Sequence, residues 1–330
     1  MEKEKIKILI RGVNWIGDAI MILPFLYSLR QKFKNAYIVL VVKKWVKDLY
    51  NYNSALDEIL EYPENKKDYF QLIKRLRAEN FDIAIALPKS FSSAFFCFLS
   101  GANRRIGFAA QFRSFFLTDR LKFTKELLNK HQIYIYLEIA KYLGCKINQI
   151  ELFLELSESI KQKAKEILPE NNYIGIHPGA YFGPAKRWIP EYFAETANKL
   201  KKHNYKIVWF GGSGEQKTIE QIKKYFDEND ILLVGKTTLD FLAALIQRCK
   251  LFIANDSGPM HIAAAVGTPV LAIFGSTNIN TTFPFTGKKI ILYKQLNCSP
   301  CMKRICPLNT YDCMYQITVN DVYNAALKLL

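Results

Sequence analysis

Apolar runs of strand length, each followed by a segment of helix length, predict an α/β protein of two Rossmann-like halves. Two further observations support this reading. The runs of Ile, Leu and Val lack the polar alternation of a half-solvated strand, so both sheet faces should be covered by helices. The pattern also breaks off once and restarts, in a chain whose 330 residues exceed one typical domain.

Taken in order, "IKILIRG" reads as the first strand, followed by a helix from about Asp18 to Lys34. Strand "AYIVLVVKK" comes next, then a helix near "WVKDLYNY", strand "EILEY", helix "DYFQLIKRLRAEN" and strand "FDIAIALP". After the helical "HQIYIYLEIAKYLG", the stretch "CKINQIELFLELSE" has no clear period. The second half then supplies strands "YIGIHPG", "YKIVWFGG", "ILLVGK", "LFIAND" and "PVLAIFG", with helices between them. A boundary within 155–170 gives domains of 1–160 and 161–330, expected to face each other across a cleft at the carboxyl ends of their strands. The last segment, "ITVNDVYNAALKLL", reads as an amphipathic helix capped by Asn320 or Asp321. It either packs back on the first domain or covers its own sheet.

Half of the residues are hydrophobic and 23% are charged, which excludes a disordered chain. The opening "MEKEKIKILIRG" lacks the apolar stretch of a secretory signal, and no run approaches the roughly 18 apolar residues of a spanning helix. A cytoplasmic protein is expected. The formal net charge of +16 favours nucleic acid, phosphorylated ligands or an anionic membrane surface. No nucleic-acid module appears, and the cations are spread over many segments. Residues 101–125 are distinctive, interleaving Arg and Lys with Phe around a single acid, Asp119.

Three strand ends carry unusual chemistry. In "RGVNWIGDAIM" the glycines are spaced unlike a dinucleotide fingerprint, which argues against an oxidoreductase. Asp18 there is either a helix cap or a general base. In "GAYFGPAKRW" a strand-to-helix loop places Lys186 and Arg187 beside flexible glycines, which suits a diphosphate or merely makes a solvated basic turn. In "ANDSGPMHIAAAVGTP", Asp256, Ser257 and Gly258 open a helix and His261 lies on its first turn, placed to meet a phosphate or sugar if it is not simply a core histidine. No D-x-D triplet occurs, so the cations are expected to stand where a divalent ion otherwise holds the diphosphate.

Of seven cysteines, Cys97, Cys145 and Cys249 sit in apolar runs and read as core. The others form "CSPCMKRICPLNTYDCM". Cys298 and Cys301 have the spacing of a metal-ligand pair, but the gaps to Cys306 and Cys313 are irregular for a zinc ribbon. Reduced thiols in an ordered loop are expected, with these four as the candidate ligands should a metal be bound.

"GxxWxGD", "LPKSFSSA", "GAYFGPAKRW" and "NDSGPMHIAAA" together resemble the bacterial ADP-heptose:lipopolysaccharide heptosyltransferases, most closely their heptosyltransferase II branch. The resemblance runs through both halves. It implies the glycosyltransferase B fold and an inverting transfer of heptose from ADP-L-glycero-β-D-manno-heptose to a heptose of the lipopolysaccharide inner core, with no cofactor required. It further implies Asp18 as base on the acceptor hydroxyl and Lys186 as the cation neutralising departing ADP. Asp256 would hold heptose hydroxyls, Ser257, Gly258 and His261 the diphosphate, and Glu215 the adenosine ribose. The anionic acceptor is expected on the first half, at Lys89, Ser90, Arg104, Arg105 and Arg113, with peripheral contact at the cytoplasmic face of the inner membrane. An acceptor other than the inner-core heptose, such as Kdo-lipid A or a protein, is the alternative. Some relatives that modify proteins carry cysteine-bound iron, which keeps the cysteine-rich segment a metal candidate.

Overall fold

The computed structural model describes residues 5–147 and 150–330. Residues 1–4 of the opening segment and 148–149 of the aperiodic stretch lie outside the described residues. The chain divides into two compact units, 1–150 and 151–330. The division falls ahead of the expected boundary because the segment after it already belongs to the second unit: Leu152 and Leu154 are buried, and Leu154 donates its N–H to the Ala265 carbonyl at 3.1 Å.

The first unit holds strands β1 (Lys7–Arg11), β2 (Tyr37–Val42), β3 (Glu58–Glu61), β4 (Ile83–Ala86), β5 (Arg104–Phe108) and β6 (Asp119–Leu121). All pair in parallel, in the order β3-β2-β1-β4-β5-β6. Ile8, Leu9 and Ile10 of β1 are fully buried on both faces, which explains why the run shows no alternation. The helix expected from Asp18 to Lys34 is two helices, Ile16–Met21 and Leu23–Lys32. Pro24 has no N–H to continue the first, so it opens the second instead. Strands β5 and β6 were not foreseen: β6 has only three residues, and β5 opens with two arginines, which masks its apolar character.

The second unit repeats the topology with β7 (Tyr173–His177), β8 (Lys206–Trp209), β9 (Ile231–Leu232), β10 (Cys249–Asn255), β11 (Val270–Phe274) and β12 (Lys289–Tyr293), in the order β12-β11-β10-β7-β8-β9. Its pairings are parallel as well. The core gathers Ile174, Trp188, Phe193, Trp209, Ile253 and Leu271, all fully buried. The C-terminal helix spans Val319–Leu329. Its cap is Thr318, not Asn320 or Asp321: Thr318 Oγ1 accepts from the Asp321 N–H at 3.1 Å, and the Asp321 carboxylate accepts from the Thr318 N–H at 3.0 Å. Its buried stripe of Val322, Ala325 and Ala326 packs on helix Pro190–Lys201 and on β10, β11 and β12, so it covers its own unit's sheet.

Candidate active site

In a doubly wound sheet the chain leaves neighbouring strands in opposite directions at the switch point, opening a crevice at their carboxyl ends. The switch falls between β1 and β4 in the first unit, and between β7 and β10 in the second. The distinctive motifs follow these four strands.

In the first unit, Trp15 occupies the N-cap of helix Ile16–Met21, so Asp18 is not the cap. Asp18 lies in the first turn, where its Oδ1 accepts a hydrogen bond from Tyr136 at 2.8 Å. Tyr136 is buried, and burial first and the Asp18 charge second push its phenol well above the ordinary range. A neutral donor is thereby locked onto the carboxylate. Across the switch point, Lys89 follows β4 and is half-buried with its Nζ 4.8 Å from the centre of the Phe123 ring. Burial holds its ammonium below the usual lysine range, Asp18 opposes that and Arg113 adds to it. Ser90 caps helix Phe91–Leu99, accepting from the Ser93 N–H at 3.3 Å.

Three of the expected acceptor cations are corrected. Arg113 is fully buried and donates to the carbonyls of Phe108 and Ser90, at 2.8 and 3.2 Å, to that of Pro88, and to Ser93 Oγ at 2.9 Å. It knits the loop after β4 to the loop after β5 and presents nothing to solvent. Arg104 begins β5, so it lies at the amino edge of the sheet, away from the switch-point crevice. There it pairs with Asp119 at 2.8 Å. Burial works to raise the Asp119 pKa, but Arg104, Thr118 and Tyr142 override it and bring it to about 2. Arg105 shares that edge, donating to the carbonyls of Phe116 and Ala102.

In the second unit the loop after β7 and the turn after β10 meet. Lys186 Nζ stands 2.6 Å from Asp256 Oδ2, and Thr277 donates to the same oxygen at 2.5 Å. Asp256 is only 4% exposed, and the N-cap of helix Gly258–Ala265 is Ser257, so the acid is not a cap. Ser257 and Gly258 place the first amides of that helix at the carboxyl edge, and His261 is buried one turn on.

Glu215 belongs to the same group. Its carboxylate meets His177 Nε2 at 3.1 Å and accepts the Gly212 N–H at 2.7 Å. Burial raises its pKa, yet His177, Gly212 and Arg187 outweigh burial and bring it to about 2. A Cβ on Gly179 would fall 1.5 Å from Glu215 Oε1, so the first glycine of the loop is there to let this carboxylate approach the backbone. The second glycine, Gly183, has φ +154° and passes the Arg304 carbonyl so closely that a Cβ would come within 2.5 Å of it.

Sequence reasoning missed His177 and Asn255. His177 ends β7 and sits between Glu215 and Ser257 Oγ, the latter at 3.4 Å. Asn255, fully buried at the end of β10, accepts from the Trp188 N–H at 3.0 Å and donates to the Pro178 carbonyl at 2.8 Å. The available signal was a polar residue closing an otherwise apolar strand.

The four clustered cysteines line one cavity of about 20 Å³ beside Ala185. All seven thiols are free. Among the described residues, no group of three or more His, Cys, Asp or Glu side chains is placed to hold a metal ion, these four included. Arg304 of this segment lies 5.3 Å from the Phe182 ring and its carbonyl accepts the Ala185 N–H at 3.1 Å, so the segment braces the loop that carries Lys186.

Two six-stranded parallel sheets with polar switch-point loops, one of them holding a Lys–Asp pair at a helix N-terminus, define a glycosyltransferase of the glycosyltransferase B fold. Residues 69–312 match glycosyltransferase family 9 (heptosyltransferase), and the chain belongs to that family. It is 31% identical to a lipooligosaccharide heptosyltransferase 2 of Campylobacter jejuni, over 98% of both chains. Among solved structures it is similar to the Escherichia coli ADP-heptose lipopolysaccharide heptosyltransferase II, with 26% identity, 98% of each chain covered and a TM-score of 0.86. A glycosyl transferase family 9 structure from Veillonella parvula gives a TM-score of 0.88 at 26% identity, covering 100% of this chain and 98% of that one.

Proposed function

We propose that the protein transfers heptose from ADP-L-glycero-β-D-manno-heptose to a heptose of the lipopolysaccharide inner core, with inversion at the anomeric carbon. The observation that carries this reading is the Lys186–Asp256 pair at the switch point of the second sheet, at the mouth of a helix. Breaking the anomeric C–O bond leaves negative charge on the departing ADP and positive charge on the sugar. Lys186 and the amides at Ser257 and Gly258 meet the negative charge, and a preorganised donor set of this kind contributes most when charge is developing. Asp256 holds heptose hydroxyls and keeps Lys186 oriented. Glu215, supported by His177, faces the adenosine ribose, and buried His261 backs the phosphate turn. The acceptor hydroxyl attacks the anomeric carbon as Asp18 takes its proton, leaving neutral Asp18, free ADP and the new glycosidic bond.

On the acceptor side, Lys89 and Ser90 stand at the carboxyl edge of the first sheet and suit an anionic core lipid. Peripheral contact at the cytoplasmic face of the inner membrane belongs to the same proposal; among the described residues no helix is long and apolar enough to cross a membrane. The test is incubation with ADP-heptose and defined truncated core lipids, read by mass spectrometry. A gain of one heptose on the heptose-terminated lipid supports the reading. Transfer only to Kdo-lipid A or to a protein would favour the acceptor alternative.

A further inference from the structure

Helix Phe91–Leu99 contains no charged residue, and its two faces are both apolar. One face, with Ala94, Phe96 and Cys97, is buried in the core of the first unit. On the other, Phe91, Phe95 and Phe98 recur at helical spacing and are 48%, 36% and 45% exposed. Phe116 underlies all three, at ring-centre distances of 5.1, 5.1 and 5.4 Å, so they form one continuous ridge rather than scattered side chains. The adjoining loop adds Phe112 and Phe115, 90% and 83% exposed. Phe112 holds φ at +55°, a region bulky residues rarely adopt, so backbone strain accompanies its display. An exposed aromatic patch of this extent marks an interaction site.

The charges around the ridge select the partner. Arg105 lies 5.7 Å from the centre of the Phe98 ring, and Arg120, exposed, is anchored on the Leu117 carbonyl beside Phe116. Lys122 and Lys125 follow, also exposed. The acid of this segment, Asp119, is consumed by Arg104. A second copy of the chain would set these cations against their own counterparts across a two-fold interface, which like-charge repulsion opposes. A lipid surface with anionic headgroups instead takes the rings at its interface and the cations on its phosphates. We infer that the face formed by helix Phe91–Leu99 and loop 111–115, rimmed by Arg105, Arg120 and Lys122, is the docking surface for an anionic bilayer. This rests on the reading that the acceptor is a membrane lipid and names the surface that reaches it.

The experiment is flotation of the full chain with vesicles of phosphatidylethanolamine and phosphatidylglycerol, against vesicles of phosphatidylcholine alone. Binding should require the anionic lipid, and Phe95→Glu with Phe98→Glu should weaken it by about tenfold or more. Arg120→Glu with Lys122→Glu, which leaves the rings untouched, should reduce it several-fold and abolish its salt dependence. The Arg120/Lys122 variant should keep the wild-type melting temperature, and both double variants, assayed below their own melting temperatures, should keep heptose transfer to a water-soluble, deacylated acceptor. Equal vesicle binding by wild type and both variants would overturn the proposal, as would a wild type that ignores the anionic vesicles. A lipid-free dimer dissolved by the Phe variant would overturn it in favour of a second copy. Vesicle binding without transfer to any core acceptor would sink the function while leaving the docking surface intact.

Discussion

Lys186 and Asp256 are joined at 2.6 Å although they are supplied by different loops, one following β7 and the other following β10. The pair is nearly dry, with side chains 13% and 4% exposed. A charge so placed is costly when its partner is removed. Lys186→Ala should therefore lose stability by about 3 kcal/mol or more in denaturant unfolding, besides losing ADP affinity. It should also raise the barrier to transfer by roughly 2–4 kcal/mol. Lys186→Ala combined with Asp256→Asn should recover much of the stability and none of the turnover. If the double variant were no more stable than the single, the pair would not be coupled.

Asp18→Asn should leave donor binding intact and lower turnover by roughly 10²-fold, the scale of a lost general base. Tyr136→Phe removes a donor that favours the ionised carboxylate, so the acidic limb of the pH profile of kcat/KM should move to higher pH. A purely structural tyrosine would lower the melting temperature and leave that limb in place.

Gly179→Ala pushes a methyl group into the Glu215 carboxylate and should destabilise the second unit by about 1–3 kcal/mol. Adding Glu215→Ala should relieve the clash and restore part of the loss, measured as a melting-temperature cycle.

The Glu215 pKa is depressed to about 2, so its stabilisation is fully present above its unfolded pKa, near 4.5, and is lost as pH falls through about 2. Glu215→Gln should consequently be less stable than wild type at neutral pH, by roughly 1–3 kcal/mol. The gap should close as pH is lowered from 4.5 towards 2. A gap that stayed constant across that window would show that the charge is not what stabilises.

Arg113→Ala should act on folding rather than on one substrate. It takes the Arg113 donor from the Phe108 carbonyl and leaves those of Pro88 and Ser90 with Ser93 Oγ, and loop 88–90 carries Lys89. The expected result is a lower melting temperature together with loss of acceptor kinetics. A selective rise in acceptor KM at unchanged stability would return Arg113 to a docking role.

The doubly wound order of each sheet was legible because fully buried parallel strands leave unbroken apolar runs, as in "KILIR" and "VLAIF". The motifs at their ends were legible too, since glycines, paired cations and acids at strand-to-helix loops are unusual where a plain turn would serve. Strand β5 and the edge strands β6 and β12 were not. β6 has three residues, β12 is only half-buried, and β5 opens on two arginines, so burial writes little of itself into their sequences. Partner choice was also beyond the sequence. Whether Arg113 faces solvent or the carbonyls of its own unit, and whether Asp18 caps a helix or accepts from Tyr136, depends on residues 20 to 118 positions away. The same holds for Gly179, whose missing side chain has meaning only because Glu215 packs against it. Local pattern determined the strands, the helices and the residue types at the switch points. Tertiary structure alone decided which charges are paired, because pairing is set by distance in space and the sequence records only distance along the chain.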